Sequence, residues 1–211
     1  MEHTLAKAYL ACFTYPWEAL VTLKDQIIEL GKSLNKAEYE EIEPFVWVHK
    51  TAIIAPTAFL GSPCIIGAET EVRHCAFIRG SALVGKGCVV GNSVELKNVI
   101  LFDGVQVPHF NYVGDSILGY KAHMGAGAIT SNVKSDKTEI SVKGEKETKA
   151  TSLKKLGAMV GDHVEIGCNS VLNPGTVVGR NTIIYPLSCV RGVIKEKSIY
   201  KKEGVIVQKQ V

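Results

Sequence analysis

Two cations, a histidine and an amide stand at positions where this chain otherwise places glycine or small residues. Arg79 and Lys97 are eighteen residues apart in a sequence that repeats every six, which stacks them as two cations on one corner of a coiled chain. Like charges that close repel unless an anion lies between them, so the pair predicts a phosphate or carboxylate site. His109 follows a proline and has Asn111 and Tyr112 beside it. An imidazole, with an ordinary pKa near 6.5, can take a proton from a nucleophile at neutral pH. Gly125 to Asn132 reads GAGAITSN, a run of small residues that lets a ligand come close to the backbone. Its last residue, Asn132, can donate and accept hydrogen bonds to a sugar or a pantetheine amide.

The elements that must position these groups are hexapeptides. Aliphatic residues recur at Val48, Ile54, Leu60, Ile66, Val72, Ile78, Val84, Val90 and Leu96, and the count continues to Phe102. The position after each aliphatic is Gly61, Gly67, Gly85 or Gly91 in four cases. The chemistry-bearing exceptions include Arg73, Arg79, Lys97, Asp103 and His109. The register shifts around Pro108, resumes at Leu118 and Met124, and returns at Val160, Ile166, Leu172, Val178, Ile184 and Val190. Such a period is the signature of a parallel β-helix, with three hexads to a triangular coil and neighbouring coils about 4.8 Å apart. The repeats suffice for roughly six coils. By the same count Arg73, Gly91 and His109 share a column.

The predicted organisation is a helical segment at 1–44, the β-helix at 45–194 with an insertion at 133–158, and a basic tail at 195–211. Pro16 suits a first helical turn, and Leu20, Leu23, Ile27, Leu30 and Leu34 follow helical spacing, with Gly31 near the end as a candidate stop signal. A second short helix is expected around Lys36 to Glu41. This segment is expected to cap the end of the repeat stack. The insertion carries Lys134, Lys137, Lys143, Lys146, Lys149, Lys154 and Lys155 against Asp136, Glu139, Glu145 and Glu147, and reads as a hairpin turning near Gly144. It is either a solvated loop or a basic arm over an anionic ligand. The tail either pairs as an edge strand or covers the last coil.

Composition excludes several classes. Hydrophobic residues at 46% and charged residues at 21% fit a globular chain, and a net charge of +3 gives no argument for nucleic acid or membrane. No apolar run reaches the roughly 18 residues of a spanning helix, and no signal-peptide core is present, which predicts a cytoplasmic protein. The six cysteines lack CxxC spacing, and Cys64 and Cys88 fall on small inward positions of the repeat, as buried reduced residues.

The stretches VGNSVELK, HFNYVGDSILG, MGAGAITSN and KKLGAMVGDHVEIGCN resemble the acetyltransferase half of the bifunctional glucosamine-1-phosphate acetyltransferase and N-acetylglucosamine-1-phosphate uridyltransferase family, over Val46 to Ile194. The resemblance implies an all-β, left-handed parallel β-helix assembled as a homotrimer with sites between subunits. It implies acetyl-CoA as co-substrate and an amino-sugar phosphate as acceptor, with His109 as general base. Arg79 and Lys97 would hold the sugar phosphate. Glu95, Tyr112, His123 and Asn132 would contact the substrate, while Ala126, Asn132, Lys137, Cys168 and Pro186 would line the acetyl-CoA path. His123 stands where the family usually carries asparagine, Val133 replaces a tyrosine, and Lys137 matches only approximately. No glycine-rich nucleotide-binding loop precedes the repeat, so nucleotidyltransferase activity is not expected.

Two other classes compete with this reading. A non-catalytic trimeric scaffold or sensor would keep the pocket and bind sugar nucleotides without turnover. A zinc enzyme of the γ-carbonic anhydrase type needs three histidines around an open metal position, and the spacing of His74, His109 and His123 does not fit.

Overall fold

A computed structural model describes residues 2–144, 147–201 and 205–209. Glu145 and Lys146, part of the insertion, lie outside the described residues. The chain winds into a prism whose three faces are built from short parallel strands. Face one begins at Val46–His49, face two at Ile53–Ile54 and face three at Phe59–Leu60, and each coil revisits them in that order. Face two carries eight parallel strands among the described residues, from Ile53–Ile54 to Ser198–Tyr200. The stack is therefore longer than the six coils counted from hexads. The difference arises where coils depart from the strict period: Ser198–Tyr200 in the tail pairs parallel with Ile183–Ile184, and Ile206–Gln208 then closes that edge antiparallel.

The register differs from the hexad count at two corners. Val84 pairs with Leu101, not with Phe102, and Leu101 pairs with Leu118. The inward aliphatic positions thus step by five residues from Leu96 to Leu101 and again from Val113 to Leu118. One coil below, the same corner uses three residues, with Gly80 and Ser81 both at positive φ. In the next two coils it is turned by Lys97-Asn98 and Gly114-Asp115, with only Asn98 (φ 55) and Asp115 (φ 48) in the left-handed region. Asn and Asp tolerate that conformation better than most residues, because their short side chains hydrogen-bond locally. The tightened corners make Glu95–Leu101 and Tyr112–Leu118 continuous seven-residue strands that pair with each other. The slip sits at these corners rather than at Pro108. His109 accordingly registers with Asn92, and Pro108 lies over Gly91, where a Cβ would meet the Pro108 carbonyl. The column of Arg73, Gly91 and His109 read from the sequence is off by one residue.

The N-terminal segment lies along a side of the prism instead of capping its end. Strand alternation turns Trp47, Ile65, Leu83, Ile100, Ile117 and Met159 outward on face one, in register from coil to coil. These six are buried because helix α1 (Lys7–Leu10), a 3₁₀ turn (Pro16–Val21) and helix α2 (Leu23–Ser33) pack over them. Leu10, Trp17, Leu20, Leu23 and Ile27 form the underside of that layer. Burying one such side chain contributes about 1.5–3 kcal/mol, which is why a continuous apolar ladder holds a lateral cover. Gly31 lies near the end of α2, as expected, but in its last turn rather than beyond it, where the Trp47 ring packs against it. The expected second helix is a strand, Tyr39–Glu43, antiparallel to Val46–His49. The first rung would otherwise present unpaired backbone groups, and pairing them outweighs helix propensity.

The insertion forms the antiparallel hairpin Ile140–Lys143 with Thr148–Leu153. It is neither freely solvated nor purely basic: Ile140 and Val142 are buried, with Ile140 packed beside Gly175 of the upper coils. Lys149 reaches over the Tyr15 ring at 5.9 Å, joining the hairpin to the N-terminal layer. Among the described residues no helix is long and apolar enough to cross a membrane.

Candidate active site

Two edges of the prism bound face three, and the residues singled out in the sequence divide between them. The edge between faces three and one carries Arg79, Lys97, Asn98 and Asp115, because this is the corner tightened in the central coils. Arg79 lies one rung below Lys97, its backbone N–H donating to the Leu96 carbonyl. The repulsion expected between the two cations is met inside the chain. Arg79 Nη1 donates to Glu95 Oε1 at 2.7 Å, and Lys97 Nζ lies 2.8 and 3.0 Å from the two Asp115 carboxylate oxygens. The Glu95 contact raises the Arg79 pKa further above its already high ordinary value.

Asp115 is the residue that the sequence reading missed. It is 4% exposed, and it accepts hydrogen bonds from Lys97, from Asn98 Nδ2 at 2.9 Å and from Asn132 Nδ2 at 2.5 Å. Asn132 Nδ2 also donates to the Tyr112 hydroxyl at 3.1 Å. Tyr112 and Glu95 are in register on face three. Burial, then the Asp115 and Glu95 charges, raise the Tyr112 pKa, so its hydroxyl keeps its proton. Arg79, Glu95, Lys97, Tyr112 and Asn132 are thus gathered along one edge. The signal available in the sequence was the aspartate one coil above Lys97-Asn98, at the second five-residue step.

The other edge, between faces two and three, carries His109. Its backbone N–H donates to Asn111 Oδ1 at 3.1 Å, and the buried Asn111 side chain donates onward to the Gly125 and Ala128 carbonyls. Asn111 therefore fixes the corner from which an exposed imidazole projects. Above His109 the edge continues through Ala126, Cys168 and Pro186. Gly127 N–H donates to the His109 carbonyl, Asn169 N–H to that of Ala126, and Leu187 N–H to that of Cys168. Of the residues expected to line an acetyl-CoA path, Ala126, Cys168 and Pro186 share this edge with His109, while Asn132 belongs to the opposite edge, on Asp115, and Lys137 to the insertion. His109 and the Lys97 edge stand on opposite sides of face three, roughly 10–15 Å apart at about 3.3 Å per residue.

Two candidates lie elsewhere. His123 is on face two, with Nδ1 2.7 Å from Glu165 Oε2, and is not part of the Asp115 network. Lys137 is exposed near the start of the insertion, its backbone N–H donating to the Lys134 carbonyl. No group of three or more His, Cys, Asp or Glu among the described residues could hold a metal ion. All six cysteines are free.

Residues 63–153 match the family model of the GMPPB C-terminal domain. Over 115 residues, 54% of the chain, the sequence is 37% identical to the bifunctional protein GlmU of Methanococcus vannielii, covering 28% of that protein. It is 34% identical over 90 residues, 43% of the chain, to a bifunctional sugar-1-phosphate nucleotidylyltransferase/acetyltransferase of Sulfurisphaera tokodaii, covering 22% of that protein. The chain therefore spans about a quarter of the length of these curated relatives. A hexapeptide transferase family protein from Anaplasma phagocytophilum has the same fold, with a TM-score of 0.50 and 14% identity over 78% of each chain. The fold is the left-handed parallel β-helix of hexapeptide repeats, and the matches bear out the resemblance to the acetyltransferase half of the GlmU family.

Proposed function

We propose that this chain, a relative of the β-helical half of the bifunctional GlmU proteins, is an acetyl-CoA-dependent N-acetyltransferase. Its acceptor would be an amino-sugar phosphate, glucosamine 1-phosphate or galactosamine 1-phosphate. The observation that carries the reading is the edge network in which Arg79, Lys97, Tyr112 and Asn132 converge on Glu95 and Asp115. Such a cluster offers charged and neutral donors to a phosphate and acceptors to sugar hydroxyls. Support for acyl transfer comes from the acetyltransferase named in the Sulfurisphaera tokodaii relative.

In this reaction the acceptor amine attacks the thioester carbonyl. His109 removes the amine proton as the C–N bond forms, the tetrahedral oxyanion collapses, and coenzyme A leaves as the thiol. Arg79 and Lys97 bind the phosphate and so fix where the amine points. The small residues Gly125, Ala126 and Gly127, with Cys168 and Pro186 above them, leave the His109 edge open to an extended pantetheine arm.

Because base and phosphate-binding residues lie on opposite sides of face three in one chain, the complete site is assigned to a homotrimer, with the His109 edge of one copy beside the Lys97 edge of the next. Phe59 and Phe77, stacked outward on face three and exposed, give that face an apolar surface for such contact. The reaction is assigned to the cytoplasm, where acetyl-CoA is available and free thiols stay reduced.

A sugar-nucleotide-binding scaffold without turnover is the second reading. It is favoured by His123, which is engaged by Glu165, and by a His109 imidazole with no carboxylate hydrogen-bonded to it among the described residues. Thiol release from acetyl-CoA on addition of each amino-sugar phosphate separates the two, since binding without release supports the scaffold.

A further inference from the structure

We propose that Asp115 is the positioning residue of the phosphate-binding edge, holding Lys97 and Asn132 in place and locking both, through Asn98, to the N-terminal layer. The inference rests on the functional reading above for what the edge binds, but the positioning itself is a property of the chain.

A carboxylate has about four lone-pair sites, and here all are used: two contacts from Lys97 Nζ, one from Asn98 and one from Asn132. The five-residue corner creates this arrangement. At this corner, with φ at 48°, the Asp115 carboxylate comes within hydrogen-bonding distance of the Lys97 and Asn98 side chains one coil below. Asn98 Nδ2 also donates to the Leu20 carbonyl at 3.3 Å, so the connection runs from the 3₁₀ turn of the N-terminal layer to the ammonium of Lys97.

A carboxylate that only plugged a corner would have no need of a lysine whose side chain keeps 27% of its surface open. That ammonium has three hydrogens, and its two contacts to Asp115 leave one for a further acceptor. A lysine normally loses much rotamer freedom on binding an anion; here the loss has been taken during folding, and the ion pair also prevents Lys97 from folding back onto Glu95. The N-terminal layer, whose role the sequence left open, becomes the outer support of the site.

The test compares wild type with Asp115→Asn, Lys97→Met and the double variant. With glucosamine 1-phosphate and acetyl-CoA, Asp115→Asn is expected to raise the acceptor KM at least tenfold and the acetyl-CoA KM less than twofold. The loss in the double variant should fall well short of the product of the two single losses, because Asp115 acts in large part through Lys97 and otherwise only through Asn132. Independent losses that multiply, or an equal rise in both KM values, would overturn the proposal.

A second readout needs no substrate. Reductive methylation followed by peptide mass spectrometry should label Lys97 at least fivefold faster in Asp115→Asn, with Lys121 unchanged. Equal Lys97 labelling in wild type and variant would refute the positioning role. Absence of turnover in the wild type would instead refute only the acetyltransferase reading. Should Asp115→Asn not fold, Asn98→Ala removes a single donor and is expected to raise Lys97 labelling at least twofold; no change would overturn the proposal.

Discussion

Gly31 and Trp47 are packed so closely that a Cβ on Gly31 would lie 2.2 Å from the Trp47 ring. Helix propensity alone favours alanine at this position by about 1 kcal/mol. The ring projects from the first coil, is 6% exposed and packs against α2. Overpacking costs about 1–3 kcal/mol at such a site, so after the helix-propensity gain Gly31→Ala is expected to destabilise by up to about 2 kcal/mol net. Urea unfolding followed by Trp fluorescence measures it, and a gain in stability would show that the helix is not seated on Trp47.

The lateral cover should behave as part of the core. Leu23 and Ile27 are fully buried against face one. Leu23→Ala is expected to cost about 2–5 kcal/mol, the range for a buried leucine, whereas a flexible appendage would give a value near zero. The same measurement on Ile140→Ala asks whether the hairpin is docked on the upper coils, and a loss above about 2 kcal/mol is expected there.

Cysteine chemistry separates the inside of the prism from its edges. Burial pushes the Cys64 and Cys88 thiols up to about 12. Both stay protonated in the native state while an unfolded thiol ionises near pH 9, so their contribution is intact below pH 9 and is lost as pH rises from about 9 towards 12. At pH 8 a thiol-reactive probe is expected to label the exposed Cys12, Cys75, Cys168 and Cys189 in native protein, and Cys64 and Cys88 only after unfolding. Rapid native labelling of Cys64 would contradict the inward register of the repeat.

The Tyr112 hydroxyl accepts from Asn132 while burial and two nearby carboxylates hold its proton. Tyr112→Phe removes one hydrogen bond, expected to cost about 0.5–1.5 kcal/mol in stability. A threefold to tenfold rise in acceptor KM with a fall in Tm of about 1–6 °C is expected from steady-state kinetics and a thermal melt. An unchanged acceptor KM would place the substrate away from this edge.

The hexads made the β-helix, its inward aliphatic columns and the buried cysteines legible, because each coil repeats the same local demand: an inward aliphatic, a turn and a small residue. What stayed hidden depended on contacts between distant segments. Nothing within Lys36 to Glu41 announces a strand; the open edge at Val46–His49 makes one. Gly31 carries the signal of a helix end, and only Trp47 explains why it lies in the last turn rather than beyond it. The stacking of Arg79 and Lys97 was readable, yet the anions that neutralise them belong to Glu95 and Asp115. Asp115 became visible only once the corner was seen to be one residue shorter than the hexad. The same shortening moved His109 into register with Asn92.

The most direct test of the central claim is thiol release from acetyl-CoA with glucosamine 1-phosphate, galactosamine 1-phosphate and UDP-glucosamine as acceptors, beside His109→Ala. Turnover with one sugar phosphate, reduced by about 10²-fold or more in His109→Ala, is the expected result for a general base. Folded protein that binds the sugar phosphate but releases no thiol with any acceptor would contradict the acetyltransferase account and leave the scaffold in its place.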